Sequence, residues 1–258
     1  TPIVALSVLA SSSSGNSSVV ATDRTRLLID AGLSRKETFE RMALAGVKPD
    51  SLDAILITHE HSDHISGLPA IAKKLDIPVY VSRLTAPGIP WGEYTPKLEL
   101  FQAGSAFTIG DIEVQSFTIP HDAADPVGFS FKSEGIKVSI ATDLGYLPDS
   151  VRYHLRGSDM LLLESNHDLE MLKVGPYPWS VKQRVMGRNG HLSNEVACEF
   201  VREELDSRTS TLILGHLSEH NNHPEIVRLM GSQALDGRNL LTRLLIAEAA
   251  KPTETIIY

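Results

Sequence analysis

Short apolar runs alternate with polar turns along the whole chain, and the spacing within them switches between strand-like and helix-like periods. The opening run Ile3-Val4-Ala5-Leu6-Ser7-Val8-Leu9-Ala10 passes through a Gly/Ser turn at 11–16 into Val19-Val20-Ala21. It has no basic flank, so it predicts two paired strands and not a cleaved leader. Leu27-Leu28-Ile29-Asp30 predicts a short buried strand, and Ser34-Arg35-Lys36-Glu37 has a capping-box pattern that opens a helix ending near Gly46. Ala54-Ile55-Leu56-Ile57 is a further strand, and Ile65, Leu68, Ile71, Ala72 and Leu75 have the spacing of one amphipathic helix. Residues 78–81 form the next strand. Between 107 and 142 the strand runs 107–109, 112–117, 128–131 and 138–140 are broken by Gly-Asp and Glu-Gly turns, which predicts a meander. From Asp149 helix-plus-strand units resume, with strands at 160–163 and 211–214 and helices at 181–187, 194–205 and 225–230. The pattern predicts an α/β fold, one domain over 1–258, with two mixed sheets flanked by helices in four αββα layers. The stretch 232–258 is Leu-rich and strand-like, and completing a sheet or forming a contact are both open to it.

Composition narrows the class. The chain has 258 residues, 42% hydrophobic and 22% charged, enough for a full core. No apolar run approaches the roughly 18–20 residues of a membrane span, so no membrane partner is expected. The one cysteine, Cys198, excludes an internal disulfide and predicts a cytoplasmic location. Its helical setting predicts a buried, inert thiol. A net charge of −8 disfavours indiscriminate nucleic-acid binding but leaves room for a local basic groove. Oligomeric state is not readable from these features.

The chemistry is concentrated in Thr58-His59-Glu60-His61-Ser62-Asp63-His64, directly after the 54–57 strand. Imidazole nitrogen and carboxylate oxygen are the ligands that Zn²⁺ and its neighbours accept. His59 and His61 are two apart, so an extended chain turns both to one side. Asp63 and His64 are adjacent and point differently, which suits a second metal beside the first. Further candidates each follow an apolar strand: His121, Asp143 and His216.

These motifs together resemble the metallo-β-lactamase-fold hydrolases, through His59-x-His61-x-Asp63-His64 and then His121, Asp143 and His216. Within that superfamily the chain looks most like the YycJ/WalJ-like branch of bacterial exonucleases. The segments that carry this are Leu9-Ala10-Ser11-Ser12-Ser13-Ser14-Gly15-Asn16, Ile29-Asp30-Ala31-Gly32-Leu33-Ser34, Pro120-His121-Asp122-Ala123-Ala124, Glu164-Ser165-Asn166-His167-Asp168, Tyr177-Pro178-Trp179-Ser180, Gly190-His191-Leu192-Ser193-Asn194-Glu195 and His216-Leu217-Ser218-Glu219-His220-Asn221-Asn222. The resemblance implies the αββα sandwich with two divalent metals at one edge. It gives His59, His61 and His121 to one metal, Asp63, His64 and His216 to the other, and Asp143 to both. His64 and Asp143 stand where lactamases most often carry arginine or cysteine, and His61 where flavodiiron oxidoreductases carry glutamate, so those activities are disfavoured.

The resulting expectation is a dinuclear metal-dependent phosphodiesterase, a DNA exonuclease by resemblance. A metal-bridging hydroxide would be its nucleophile, with Asp63 orienting it and His191 assisting the leaving oxygen. Zn²⁺ leads among the metals, with Mn²⁺ and Fe²⁺ as alternatives. Lys182, Arg184 and Arg188 suggest a phosphate track, with Asn166 also facing substrate, while Glu164 and His167 are expected to support the ligands from behind. DNA stands ahead of RNA, although spacing separates neither these nor exo- from endonuclease action. Two rivals remain: a thioester or lactone hydrolase using the same ligands, and a metal-dependent binding or regulatory module without turnover.

Overall fold

Successive residues of a strand face opposite sides of its sheet, so a strand apolar at every position is covered on both faces. Leu27 and Ile29 enter one buried cluster and Leu28 another; Ala54 and Leu56 separate from Ile55 and Ile57 in the same way, and Leu162 from Leu161 and Leu163. The computed structural model, which describes residues 3–258, has the layers this implies. The first half consists of β1 (Val4–Ser12), β2 (Gly15–Thr22), β3 (Arg26–Ile29), α1 (Arg35–Leu44), β4 (Ala54–Leu56), α2 (Ser62–Ile65), α3 (Leu68–Leu75), β5 (Val79–Ser82) and β6 (Leu98–Phe101). The second consists of β7 (Ala106–Ile109), β8 (Ile112–Thr118), β9 (Val127–Ser133), β10 (Ile136–Ala141), α4 (Asp149–Leu155), β11 (Met160–Glu164), α5 (Leu169–Val174), α6 (Trp179–Met186), α7 (Asn194–Glu204), β12 (Thr211–Gly215), α8 (Pro224–Asp236), β13 (Arg243–Ile246) and β14 (Ile256–Ile257).

Two seven-stranded sheets result, ordered β14-β1-β2-β3-β4-β5-β6 and β13-β12-β11-β10-β9-β8-β7. Both are mixed: β3 to β6 run parallel, as do β10 to β13, while β7 to β10 form the antiparallel meander. The core between the sheets includes Leu6, Val8 and Leu56 from one side and Phe129, Phe131 and Met160 from the other. α1 and α3 cover the outer face of the first sheet, and α4, α7 and α8 that of the second.

The terminal stretch completes both sheets: β13 extends the second beside β12, and β14 extends the first beside β1. One expectation needs correction. The helix expected across 65–75 is two helices, α2 and α3, broken at Ser66-Gly67. A Cβ on Gly67 would fall 1.8 Å from the Leu33 carbonyl oxygen, so the break lets two backbones approach. The capping pattern is realised in one direction: Ser34 Oγ accepts from the Glu37 N–H at 3.2 Å.

Strand polarity determines where chemistry can gather. β1, β3 and β4 are mutually parallel, so their carboxyl ends share one edge of the first sheet. β8, β10, β11 and β12 likewise end at one edge of the second. A bridge between Ser12 and Leu217, and the Val127 N–H donating to the Thr58 carbonyl, bring these two edges together. Gly32 is pressed into this junction: its added Cβ would lie 1.7 Å from the Asp63 carbonyl oxygen. Gly32→Ala is therefore expected to lower stability by about 2–4 kcal/mol, as overpacking against rigid backbone does. Urea unfolding measures this, and divalent-metal content should fall with it because Asp63 is displaced.

Candidate metal centre and substrate cavity

The strand ends deliver the polar residues. Asp30 follows β3, the 58–64 segment follows β4, His121 follows β8, Asp143 follows β10, and His216 follows β12; Glu164 is the last residue of β11. Asp30, Asp143 and His216 all have positive φ, +61°, +62° and +58°. Non-glycine residues in this region concentrate at functional sites, where surrounding contacts hold the strain. Each strand stops abruptly there and turns its polar side chain inward.

Ligand-type atoms all within 4.8 Å of one another form a group of Asp143, Glu164, His191 and His216 and two further groups: His59, His61 and His121; and Asp63, His64, Asp143 and His216. Asp143 joins the two, with Oδ2 lying 3.7 Å from His59 Nε2 and 2.6 Å from His64 Nε2, and Oδ1 3.4 Å from His216 Nε2. Bonds of 2.0–2.1 Å to a tetrahedral ion place ligand atoms about 3.3 Å apart. His61 Nδ1 and His121 Nε2 are 3.3 Å apart, and so are Asp63 Oδ2 and His64 Nε2.

The buried atoms His59 Nε2 and His216 Nε2 have no hydrogen-bond partner, and Asp143 Oδ2 has none beyond its 2.6 Å contact with His64 Nε2. Orphaned buried polar atoms are costly, and aimed at common points they are what a cation satisfies. The set suits divalent metal.

Hydrogen bonds from behind orient the rings, as they do around metal-binding histidines generally. Asp30 is the hub. Its Oδ2 lies 2.7 Å from His64 Nδ1 and accepts from Thr58 Oγ1 at 2.8 Å, while Oδ1 accepts from the Thr58 N–H. Thr58 Oγ1 lies 2.9 Å from His59 Nδ1, which leaves Nε2 of both histidines facing the cluster. Asn16 Nδ2 donates to Asp63 Oδ2 at 3.0 Å. Glu164 Oε2 lies 3.0 Å from His191 Nδ1, its Oε1 accepts from the Leu144 and Leu192 N–H groups, and Oε2 makes a close charge contact, not a hydrogen bond, with His216 Nδ1 at 2.7 Å.

Charge follows burial. Burial lowers His59 well below the usual imidazole value. Burial acts the same way on His64, yet Asp30 and Asp143 hold its proton well above that value. A cation among those carboxylates would take the place of such a proton. Burial would also raise Glu164, but His191 and His216 pull it down to about 2, so it is an anion at neutral pH.

A cavity of about 360 Å³ opens over the cluster. Its walls include His61, Asp63, His121, Asp143 and His216, together with Ser13, Asp122, Arg184, Asn189 and His191. Arg184 and His191 are thus among the residues that wall the cavity. Lys182 is not: it is buried, and its Nζ donates to the Lys173 carbonyl at 2.6 Å. Arg188 does not line the cavity either; its guanidinium lies 4.2 Å over the Tyr146 ring. Asn166 is buried and donates to the His216 carbonyl at 2.9 Å, while its Oδ1 lies 3.1 Å from His167 Nδ1. Burial pushes His167 down to about 4, so it is neutral near pH 7. Cys198 is buried, and burial pushes its thiol up to about 11.

Asp30, Asn16 and Thr58 fall within the motifs quoted from the sequence but were given no role there. Asp30 carries the same mark as Asp143, a carboxylate just past an apolar strand. Asn16 and Thr58 carry no such mark, because only the meeting of the two sheet edges gives them partners.

The family described as a β-lactamase superfamily domain matches residues 25–216. An exodeoxyribonuclease YycJ of Bacillus anthracis is 41% identical over 237 residues, covering 89% of this chain and 88% of that protein. An exodeoxyribonuclease WalJ of Streptococcus pneumoniae serotype 2 is 40% identical, covering 86% and 85%. Among solved structures, the metallo-β-lactamase fold protein YhfI of Bacillus subtilis superposes with a TM-score of 0.74 at 18% identity, over 98% of each chain, which shows the fold.

Proposed function

The chain belongs to the β-lactamase superfamily, in the branch of the exodeoxyribonucleases YycJ and WalJ, and from that premise we propose a dinuclear metal-dependent hydrolase that degrades DNA from an end. The observation that carries this reading is the pair of ligand groups joined through Asp143, lying beneath a cavity that Arg184 and His191 help to wall. His59, His61 and His121 would hold one divalent ion, and Asp63, His64 and His216 the other. Zn²⁺ is the first candidate, since His and Asp suit it, and Mn²⁺ and Fe²⁺ accept the same set. When bound, two such ions supply Lewis acidity and activate water at neutral pH.

The chain's own groups do the rest. Asp63, fixed by Asn16, orients the attacking water. Arg184 meets the anionic phosphate from the cavity wall. His191, with Nδ1 tied to Glu164, presents Nε2 to the cavity and gives its proton to the departing oxygen. Asn166 and His167 brace the strand ends behind His216. No described helix is long and apolar enough to cross a membrane. Action on chromosomal DNA goes with a cytoplasmic location.

Digestion of end-labelled single- and double-stranded DNA, with a covalently closed circle as control, tests the reading in added Zn²⁺ or Mn²⁺. Labelled mononucleotides from linear DNA and an intact circle are expected. Hydrolysis of a thioester without hydrolysis of bis-p-nitrophenyl phosphate would transfer the site to the rival chemistry.

The two cations of α6 separate by the same assay. Arg184→Ala is expected to raise KM for DNA about tenfold or more, the worth of one charge-assisted hydrogen bond, and to flatten its salt dependence. Lys182→Met should leave KM unchanged and cost about 1 kcal/mol of stability, because the Lys173 carbonyl loses its donor.

A further inference from the structure

The outer face of the second sheet carries a charged strip, with the polar row Gln115, Ser130 and Ser139 beside it. Glu113, Lys132 and Lys137 are direct cross-strand partners over β8, β9 and β10. Two lysines opposite one another cost free energy, as like charges on a ladder do. The strip walls a cavity of about 320 Å³, closed on its other side by Tyr153, His154 and Arg156. Lys132, Lys137 and Arg156 thus face one carboxylate, on a chain whose net charge is −8. Among the described residues, none of Lys132, Lys137 and Arg156 forms an ion pair within 4.0 Å.

Lys137 is half-buried, and its ammonium donates to the Arg156 carbonyl at 2.7 Å, leaving two further donors. The nearby carboxylates are engaged elsewhere. Asp159 accepts from the Lys137 backbone N–H and from Arg208, and Asp206 from the N–H groups of Gly157 and Arg208. Burial and then Lys132 push the Lys137 amine down to about 8. His154 is lowered too, by burial and then by the same two lysines.

We propose that this cavity binds a phosphate dianion, free or carried on a nucleotide, at a site separate from the metal centre. Lys132, Lys137 and Arg156 would pair its oxygens, and the exposed Tyr153 ring offers a face to an attached base. Lys137 is the second residue of β10, whose far end leads to Asp143, six residues on, so the two sites lie about 20 Å apart. The proposal stands whether or not the metal centre cleaves DNA.

The test uses the amine itself as reporter, on the full chain near neutral pH. Acetylation of Lys137 by an N-hydroxysuccinimide ester is followed by peptide mass spectrometry, with the exposed Lys97 as internal reference. Inorganic phosphate should slow acetylation of Lys137 without slowing that of Lys97. Lys132→Gln, at an exposed position, should raise the midpoint for protection about tenfold, whereas Arg184→Ala should leave it in place. Protection by 2′-deoxyadenosine 5′-monophosphate at lower concentration than by phosphate assigns the site to nucleotides; equal midpoints assign it to the free ion. Absence of protection at tens of millimolar overturns the proposal, and so does protection insensitive to Lys132→Gln or abolished by Arg184→Ala.

Discussion

Asp143→Asn is expected to strip the protein of most of its divalent metal and to lower DNA hydrolysis by more than ~100-fold, since removing even an outer partner of a metal ligand costs ~10–100-fold. Asp143 is fully buried and has five histidines within 3.8 Å of its carboxylate: His59, His64, His121, His191 and His216. Those rings are aimed at the cluster with carboxylates among them, and two cations cannot be shared across it once the joining anion is neutral. Asparagine keeps the volume and tolerates the left-handed backbone at φ +62°, so it tests charge separately from folding. Alanine would add backbone strain and an empty space. Elemental analysis after gel filtration gives metal per chain, and circular dichroism reports the fold. Asp143→Asn protein that keeps two metals, or keeps its nuclease rate, would sink the assignment of Asp143 as the shared ligand.

The same strand-end logic accounts for what could be read in advance. A polar residue that follows an apolar run and must turn inward is visible in sequence, and His59, His121, Asp143 and His216 were found that way. The two faces of the buried strands were equally visible, because apolar residues at every position require cover on both sides. What could not be read depended on contacts distant in sequence. Gly67 breaks the expected helix because the Leu33 carbonyl needs the space, and nothing local announces Leu33. Lys182 stood in a basic run that read as a phosphate track, but α6 turns it inward to the Lys173 carbonyl. β13 and β14 are short edge strands that exist through their partners, β12 and β1. The Glu113, Lys132 and Lys137 row has the same origin, since residues far apart in the chain become neighbours only once register is set.

Removing the His191 imidazole while both metals stay bound is the sharper test of chemistry. His191→Ala is expected to reduce kcat by ~10²–10⁴-fold, the usual worth of a positioned proton donor, with little change in metal content. Geometry supports the separation. The His191 N–H donates to the Val185 carbonyl at 2.9 Å and the Leu192 N–H to Glu164 at 3.0 Å, so the backbone here survives loss of the ring. Ser193 caps α7 independently. Burial by itself would lower the His191 pKa, but the Glu164 carboxylate raises it above the ordinary imidazole value. A group raised in this way keeps its proton below that elevated pKa and loses it as pH rises through it. A general acid of this kind gives kcat an alkaline limb at a pH above about 6.5, the unperturbed imidazole value. In His191→Ala that limb should vanish, leaving a slower and flatter profile. Glu164→Gln should move the limb to lower pH, since the anion that raises the pKa is gone. A wild-type limb that persists unchanged in His191→Ala would reduce this residue to a structural role.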